Sequence, residues 1–215
     1  MDNRIKTYNR IAAIAVFVAL PVLIFALGDF PRRTLLKETI SLLTILAFFV
    51  MLLQFYLSRA NRNILQGHKM GKVIKWHKVL GYVFVSVLLL YPFLIVVPRY
   101  FEAGITPKDA FIELLSNLNQ QGLWLGLTAW ILMFIIGLTS LLRNKLPFSY
   151  KTWRLIHGYL SIAFILTAAL HVVEMGRHIN KPMYWLIAIL SVSGVALLLK
   201  TYIFKPVSPR ISDHA

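Results

Sequence analysis

Six apolar runs of about 17 to 21 residues each punctuate the 215-residue chain, at 11–28, 39–57, 79–97, 123–142, 153–173 and 183–199. A helix needs about 20 such residues to cross the roughly 30 Å hydrocarbon layer of a bilayer. Inside lipid every backbone N–H and C=O must be satisfied within the protein, so runs of this length predict membrane-crossing helices. With 58% hydrophobic and 14% charged residues, and a mean hydropathy of +0.70, a single soluble core is excluded. The expected fold is all-α: a six-helix transmembrane bundle over residues 1–205, with 206–215 as a short disordered cytoplasmic tail. The first run follows the basic segment MDNRIKTYNR and has small residues, Ala26 and Gly28, where a signal peptide is cleaved. It is longer than a usual signal core and reads as an uncleaved anchor.

The net charge of +15 fits topology signals better than a nucleic-acid surface, because the basic residues flank the apolar runs. Sixteen of the 23 Lys and Arg lie in the N-terminal segment, the second and fourth connections and the tail. Basic residues resist translocation, so both termini are expected in the cytoplasm, in an inner (plasma) membrane crossed six times. In the longest outer connection Thr106 precedes Pro107 and Asp109, an N-cap, first position and first-turn acid. Ala110, Phe111, Leu114, Leu115 and Leu118 then form one apolar stripe, which predicts a short amphipathic helix on the membrane surface or over the bundle end.

The absence of cysteine excludes disulfides, thiolate-held iron–sulfur clusters and covalently attached c-type haem, so a metal centre has to rest on histidine, carboxylate or tyrosine. No dinucleotide fingerprint, P-loop or H-E-x-x-H occurs. Of six histidines, His68, His178 and His214 read as solvated loop or tail residues. His77, His157 and His171 stand at or within the third and fifth apolar helices, where an ionisable group is costly and marks a functional position. The 14 residues from His157 to His171 leave both on nearly one helix face, about 21 Å apart along the axis. The third helix runs in the same direction, which sets His77 level with His157 and Tyr91 level with His171. Two facing imidazoles from parallel helices are what axial ligation of a b-type haem requires. Helix-end histidines bonded to backbone or lipid headgroups fit the same spacing equally well.

The HKVLGY start of the third helix and the stretch GLTAWILMFIIGLTSLLRNKLPFSYKTWRLIHGYLSIAFILTAALH resemble the ferric reductase-like transmembrane domain, and with the six-helix plan the likeness extends over nearly the whole chain. That family includes the membrane halves of NADPH oxidases and ferric reductases and the haem-binding subunit of methionine sulfoxide reductase systems. The resemblance implies two stacked haems between inner and outer histidine pairs. His77 and His157 match the inner pair and His171 the outer ligand of the fifth helix, while Tyr91 stands where the family has its fourth histidine. Three outcomes follow: one inner haem b alone, a second haem held by His171 with an open sixth position, or one held by His171 with Tyr91 or His178. Pro92 leaves the Leu88 carbonyl without its helical donor and is expected to kink the third helix at this depth.

Lys78, Arg143, Lys151 and Arg154 cluster at the inner edge, where haem propionates need cations and where lipid phosphates draw the same residues. Gly81 and Gly158 fit either close approach of a porphyrin or plain helix contact. Glu174 and Arg177 fit an outer acceptor or a rim salt bridge. The implied activity is relay of electrons from a cytoplasmic flavoprotein or quinol to an acceptor on the outer side, as the electron-transfer subunit of an oxidoreductase. The chain has no room for a nicotinamide domain, so any flavin or quinone enters through a partner. The competing reading is a structural anchor subunit whose haem only stabilises the bundle or is missing. A transporter lacks the broken helices and paired buried charges of a midplane site.

Overall fold

A computed structural model describes residues 2–31, 33–58, 68–117 and 119–203. The expected disorder of 206–215, like His214, Arg59 and Arg62, lies outside these residues. The elements are α1 (Asp2–Ile14), a π turn (Ala15–Ala19), α2 (Leu20–Leu27), α3 (Leu35–Tyr56), α4 (Met70–Leu89), α5 (Tyr91–Ala103), α6 (Pro107–Ser116), α7 (Gln121–Leu141), a 3-10 turn (Arg143–Lys145), α8 (Tyr150–Met175) and α9 (Lys181–Ile203). Five helical spans are long and apolar enough to cross a membrane, and α4 with α5 makes a sixth, bent by 44°. The all-helical, multi-pass plan is thus present.

Two prolines shape the spans differently. Pro21 has no N–H for the carbonyl of Phe17, and the turn before it widens, with Leu20 N–H donating to Ala15 C=O. The first span therefore stays continuous. At Pro92 the helix breaks: Phe93 and Leu94 both donate to the carbonyl of Leu90, and the axis turns there. The Leu89 carbonyl, displaced from its normal partner, accepts the Trp130 indole N–H of α7 at 3.1 Å. A buried carbonyl without water is costly, so this bond holds the bend as well as tolerating it.

The third span begins at Met70 and not near Val79, because Lys72, Lys75 and Lys78 continue the helix into water on exposed positions. His77 consequently lies two turns inside α4 and not at its mouth. On the opposite end α5 runs to Ala103 and stops at Gly104, whose φ of 68° permits Gly104 N–H and Ile105 N–H to cap the carbonyls of Tyr100 and Arg99. The amphipathic helix α6 forms as expected, with the Thr106 hydroxyl accepting from Asp109 N–H at 3.2 Å. It packs on α5 through Phe111 against Phe93; Ala110 is buried, whereas Leu115 is exposed.

Helices α3, α4, α7, α8 and α9 close a ring in which each packs on the next, and α2 with the π turn leans on α3. Phe49, Leu52, Ile165 and Ile187 are fully buried at the seam of α3, α8 and α9. The Tyr56 hydroxyl donates to the Leu190 carbonyl at 3.0 Å and ties α3 to α9. Across the ring, α4 and α8 face each other over the interior.

Candidate metal centre

Among the described residues no three His, Asp or Glu side chains converge, so a bare ion finds no cage. Pairs do converge, at two levels. Near one end of the ring, the rings of His77 on α4 and His157 on α8 have centres 6.5 Å apart at an interplanar angle of 66°. An imidazole nitrogen lies about 1.1 Å from its ring centre and bonds a metal at about 2.0–2.1 Å, so two imidazoles on opposite faces of one iron have centres about 6.3 Å apart.

The neighbour of His157 leaves one of its ring nitrogens available. Ser140 Oγ of α7 is 3.3 Å from His157 Nδ1; with the proton on Nδ1 the hydroxyl accepts and Nε2 is left as a ligand. His77 Nδ1 and Gln54 Oε1 are buried without a hydrogen-bond partner. Buried polar atoms are satisfied about nine times in ten, so two orphans at one place mark a position built for something further.

Both histidines line a cavity of about 660 Å³, within the range of small-molecule and cofactor pockets. Gly81 and Gly158 line it, as expected, and a Cβ at Gly81 would meet only Gln54 Oε1, at 3.9 Å. Lys78, Arg143 and Arg154 reach the same cavity, so three of the four predicted cations surround it. Lys151, exposed on the first turn of α8, is not among its lining residues. Arg143 is held over the rings of Tyr150 and Trp153, at 4.9 and 5.4 Å. Trp153 in turn lies 5.1 Å from the His157 ring and donates its indole N–H to Thr139 C=O. Tyr150, Trp153 and His157 share one face of α8 at spacings of three and four. That spacing was visible in the sequence; Gln54 and Ser140, which come from other helices, gave no such signal.

At the other level the rings of Tyr91 and His171 also stand 6.5 Å apart, at 76°. The tyrosine therefore does face the second histidine of α8. His171 Nδ1 is 2.7 Å from the Gly122 carbonyl, to which its N–H donates, and the ring fills the space left by Gly126: a Cβ there would sit 2.6 Å from its Cε1 and Nδ1.

Two histidines depart from the solvated state expected of them. His178 is only 4% exposed; its Nε2 lies 3.1 Å from Glu38 Oε2, between the rings of Phe25 and Phe30. Burial holds this imidazole below its ordinary range against the pull of Glu38. Its Nε2 is thus engaged by a carboxylate on α3. His68 is half-buried, with Nδ1 shielded from solvent. Glu174 and Arg177 are both exposed.

Residues 43–168, from within α3 to within α8, match the model of the family described as ferric reductase like transmembrane component. The chain belongs to this family. An uncharacterized protein of Archaeoglobus fulgidus is 38% identical to it over 162 residues, covering 75% of this chain and 88% of that protein. No solved structure matches. The ferric reductase-like match includes His77, Tyr91 and His157 and ends three residues before His171, a narrower extent than nearly the whole chain. Members typically bind haem b, and the residues at the His77–His157 level fit that group in ligand type, ring separation and cavity.

Proposed function

We propose that this ferric reductase-like protein is a b-type haem cytochrome subunit that carries electrons from a cytoplasmic donor, a flavoprotein or quinol, toward an acceptor on the outer side of the plasma membrane. The observation that carries the reading is the His77–His157 pair, at iron-bridging distance across a cavity that orphaned polar atoms line. The haem supplies one-electron chemistry when bound. The chain's own residues do the rest. His77 and His157 would hold the iron, Ser140 would fix the tautomer of His157, and Lys78, Arg143 and Arg154 would neutralise the propionates. The small side chain positions Gly81 and Gly158 let the macrocycle approach α4 and α8, and the apolar ring of helices excludes water. The bias of basic residues supports a cytoplasmic position for this level and for both termini, the side from which a donor would dock.

The purified chain is expected to show a Soret band and a reduced-minus-oxidised α-band, with reduced flavin mononucleotide or a quinol analogue reducing the haem. In sealed vesicles the donor acts from the face that exposes the termini. Reduction only from the opposite face, or no haem absorbance in protein produced with ample haem, would contradict the assignment.

A further inference from the structure

Gln54 interrupts the apolar run FFVMLLQFY near the end of α3 and is only 8% exposed. Its nitrogen end is weakly engaged: Nε2 donates to the Val50 carbonyl of the same helix at 3.4 Å. A carbonyl accepts only from a donor, so this contact fixes which end of the amide is which. The oxygen end then faces α4. Oε1 lies 3.9 Å from where a Cβ of Gly81 would stand, and Gly81 is one helical turn, about 6 Å, beyond His77 on the same side of α4.

Oε1 is buried without a hydrogen-bond partner, and Gln54, His77 and Gly81 all line the cavity. An open acceptor of this kind costs the fold stability, and an apolar residue of the same size would fill the position without that cost. A polar group that breaks the local apolar pattern at the wall of a cofactor-sized cavity serves the occupant rather than the bundle. The occupant's charge tells what it does. A porphyrin dianion around ferric iron carries one net positive charge, and around ferrous iron none. The amide oxygen is the negative end of a dipole, and in a water-poor interior it favours the more positive of two states.

We propose that Gln54 sets the reduction potential of the inner site: its amide oxygen favours ferric over ferrous haem and so makes the iron held by His77 and His157 a stronger reductant. The proposal rests on the inner-haem reading and assigns that site a tuning residue from a third helix, through its oriented dipole and not through an axial ligand. The single electron taken from the donor is then passed to the acceptor from a lower potential.

Gln54→Leu and Gln54→Met remove the amide with two different shapes and test the proposal on the full purified chain. Both are expected to keep wild-type haem content and low-spin bands, and to show a higher midpoint potential in a redox titration followed at the α-band. Gln54→Glu keeps an acceptor oxygen in place and is expected at or below the wild-type potential. A role in packing alone would not produce this order. Potentials that stay at the wild-type value, or fall, in both Gln54→Leu and Gln54→Met overturn the proposal and leave the inner haem standing. A wild-type chain without haem removes the inner-haem reading itself, a failure seen before any variant is titrated.

Discussion

His157→Ala is expected to strip the chain of haem. On the proposed function the substitution removes one of two ligand nitrogens at the level where, among the described residues, ring separation, orphaned polar atoms and an open cavity coincide. Loss of a residue that merely orients a metal ligand typically weakens binding about 10–100-fold, and loss of the ligand itself exceeds that. Haem content should therefore fall by more than about 10-fold in His157→Ala, and equally in His77→Ala from the facing helix. His68→Ala serves as the control, because His68 is not among the residues lining the cavity. Retention of haem in His157→Ala with an unchanged low-spin spectrum would remove the imidazole from any ligand role. Expression and detergent extraction of the variants report whether the bundle still folds, and so separate loss of haem from loss of protein.

The next largest effect is expected for Gly126→Ala, where one methyl group meets an imidazole that has nowhere to go. The new Cβ would lie 2.6 Å from two atoms of His171 and 3.1 Å from a third. The ring cannot simply rotate away, since Nδ1 is bound to Gly122 C=O on the same helix at 2.7 Å. Overpacking of this kind costs about 1–3 kcal/mol, and the broken hydrogen bond adds about 0.5–1.5 kcal/mol. Gly71→Ala is the matched control: nothing lies within 4 Å of its added Cβ, so no clash opposes it. A clear drop of the thermal midpoint in Gly126→Ala, beside little change in Gly71→Ala and undiminished haem in both, is the expected pattern. Equal midpoints for the two variants would mean that α7 and α8 do not grip His171 as described.

Much of this architecture was legible in the sequence because its causes are local. Hydropathy located five candidate spans and the bent α4–α5 pair that counts as a sixth if it is one span, the Thr106-Pro107 signal located α6, and Pro92 announced the bend. The 14-residue interval on α8, matched on the third span, was enough to set Tyr91 against His171 and His77 against His157. What escaped was set by partners far away along the chain. His178 looked like a loop residue until α3 brought Glu38 to it, 140 positions distant. Trp130 gave no hint that its indole would satisfy a carbonyl released by a proline on another helix. Gln54 lay within an apolar run that read only as a membrane-crossing helix, and it is buried at the cavity. The start of α4 was misplaced for a different reason: hydropathy marks where a helix is apolar, whereas exposed lysines let it continue beyond that point.

An experimental density map of the chain purified with its native cofactor tests the inner site most directly. A flat, porphyrin-sized feature between α4 and α8, with its metal peak flanked by His77 and His157 and its carboxylates toward Lys78, Arg143 and Arg154, is the predicted result. A map in which these two rings face lipid or each other with no density between them, or in which the porphyrin lies elsewhere, would contradict it.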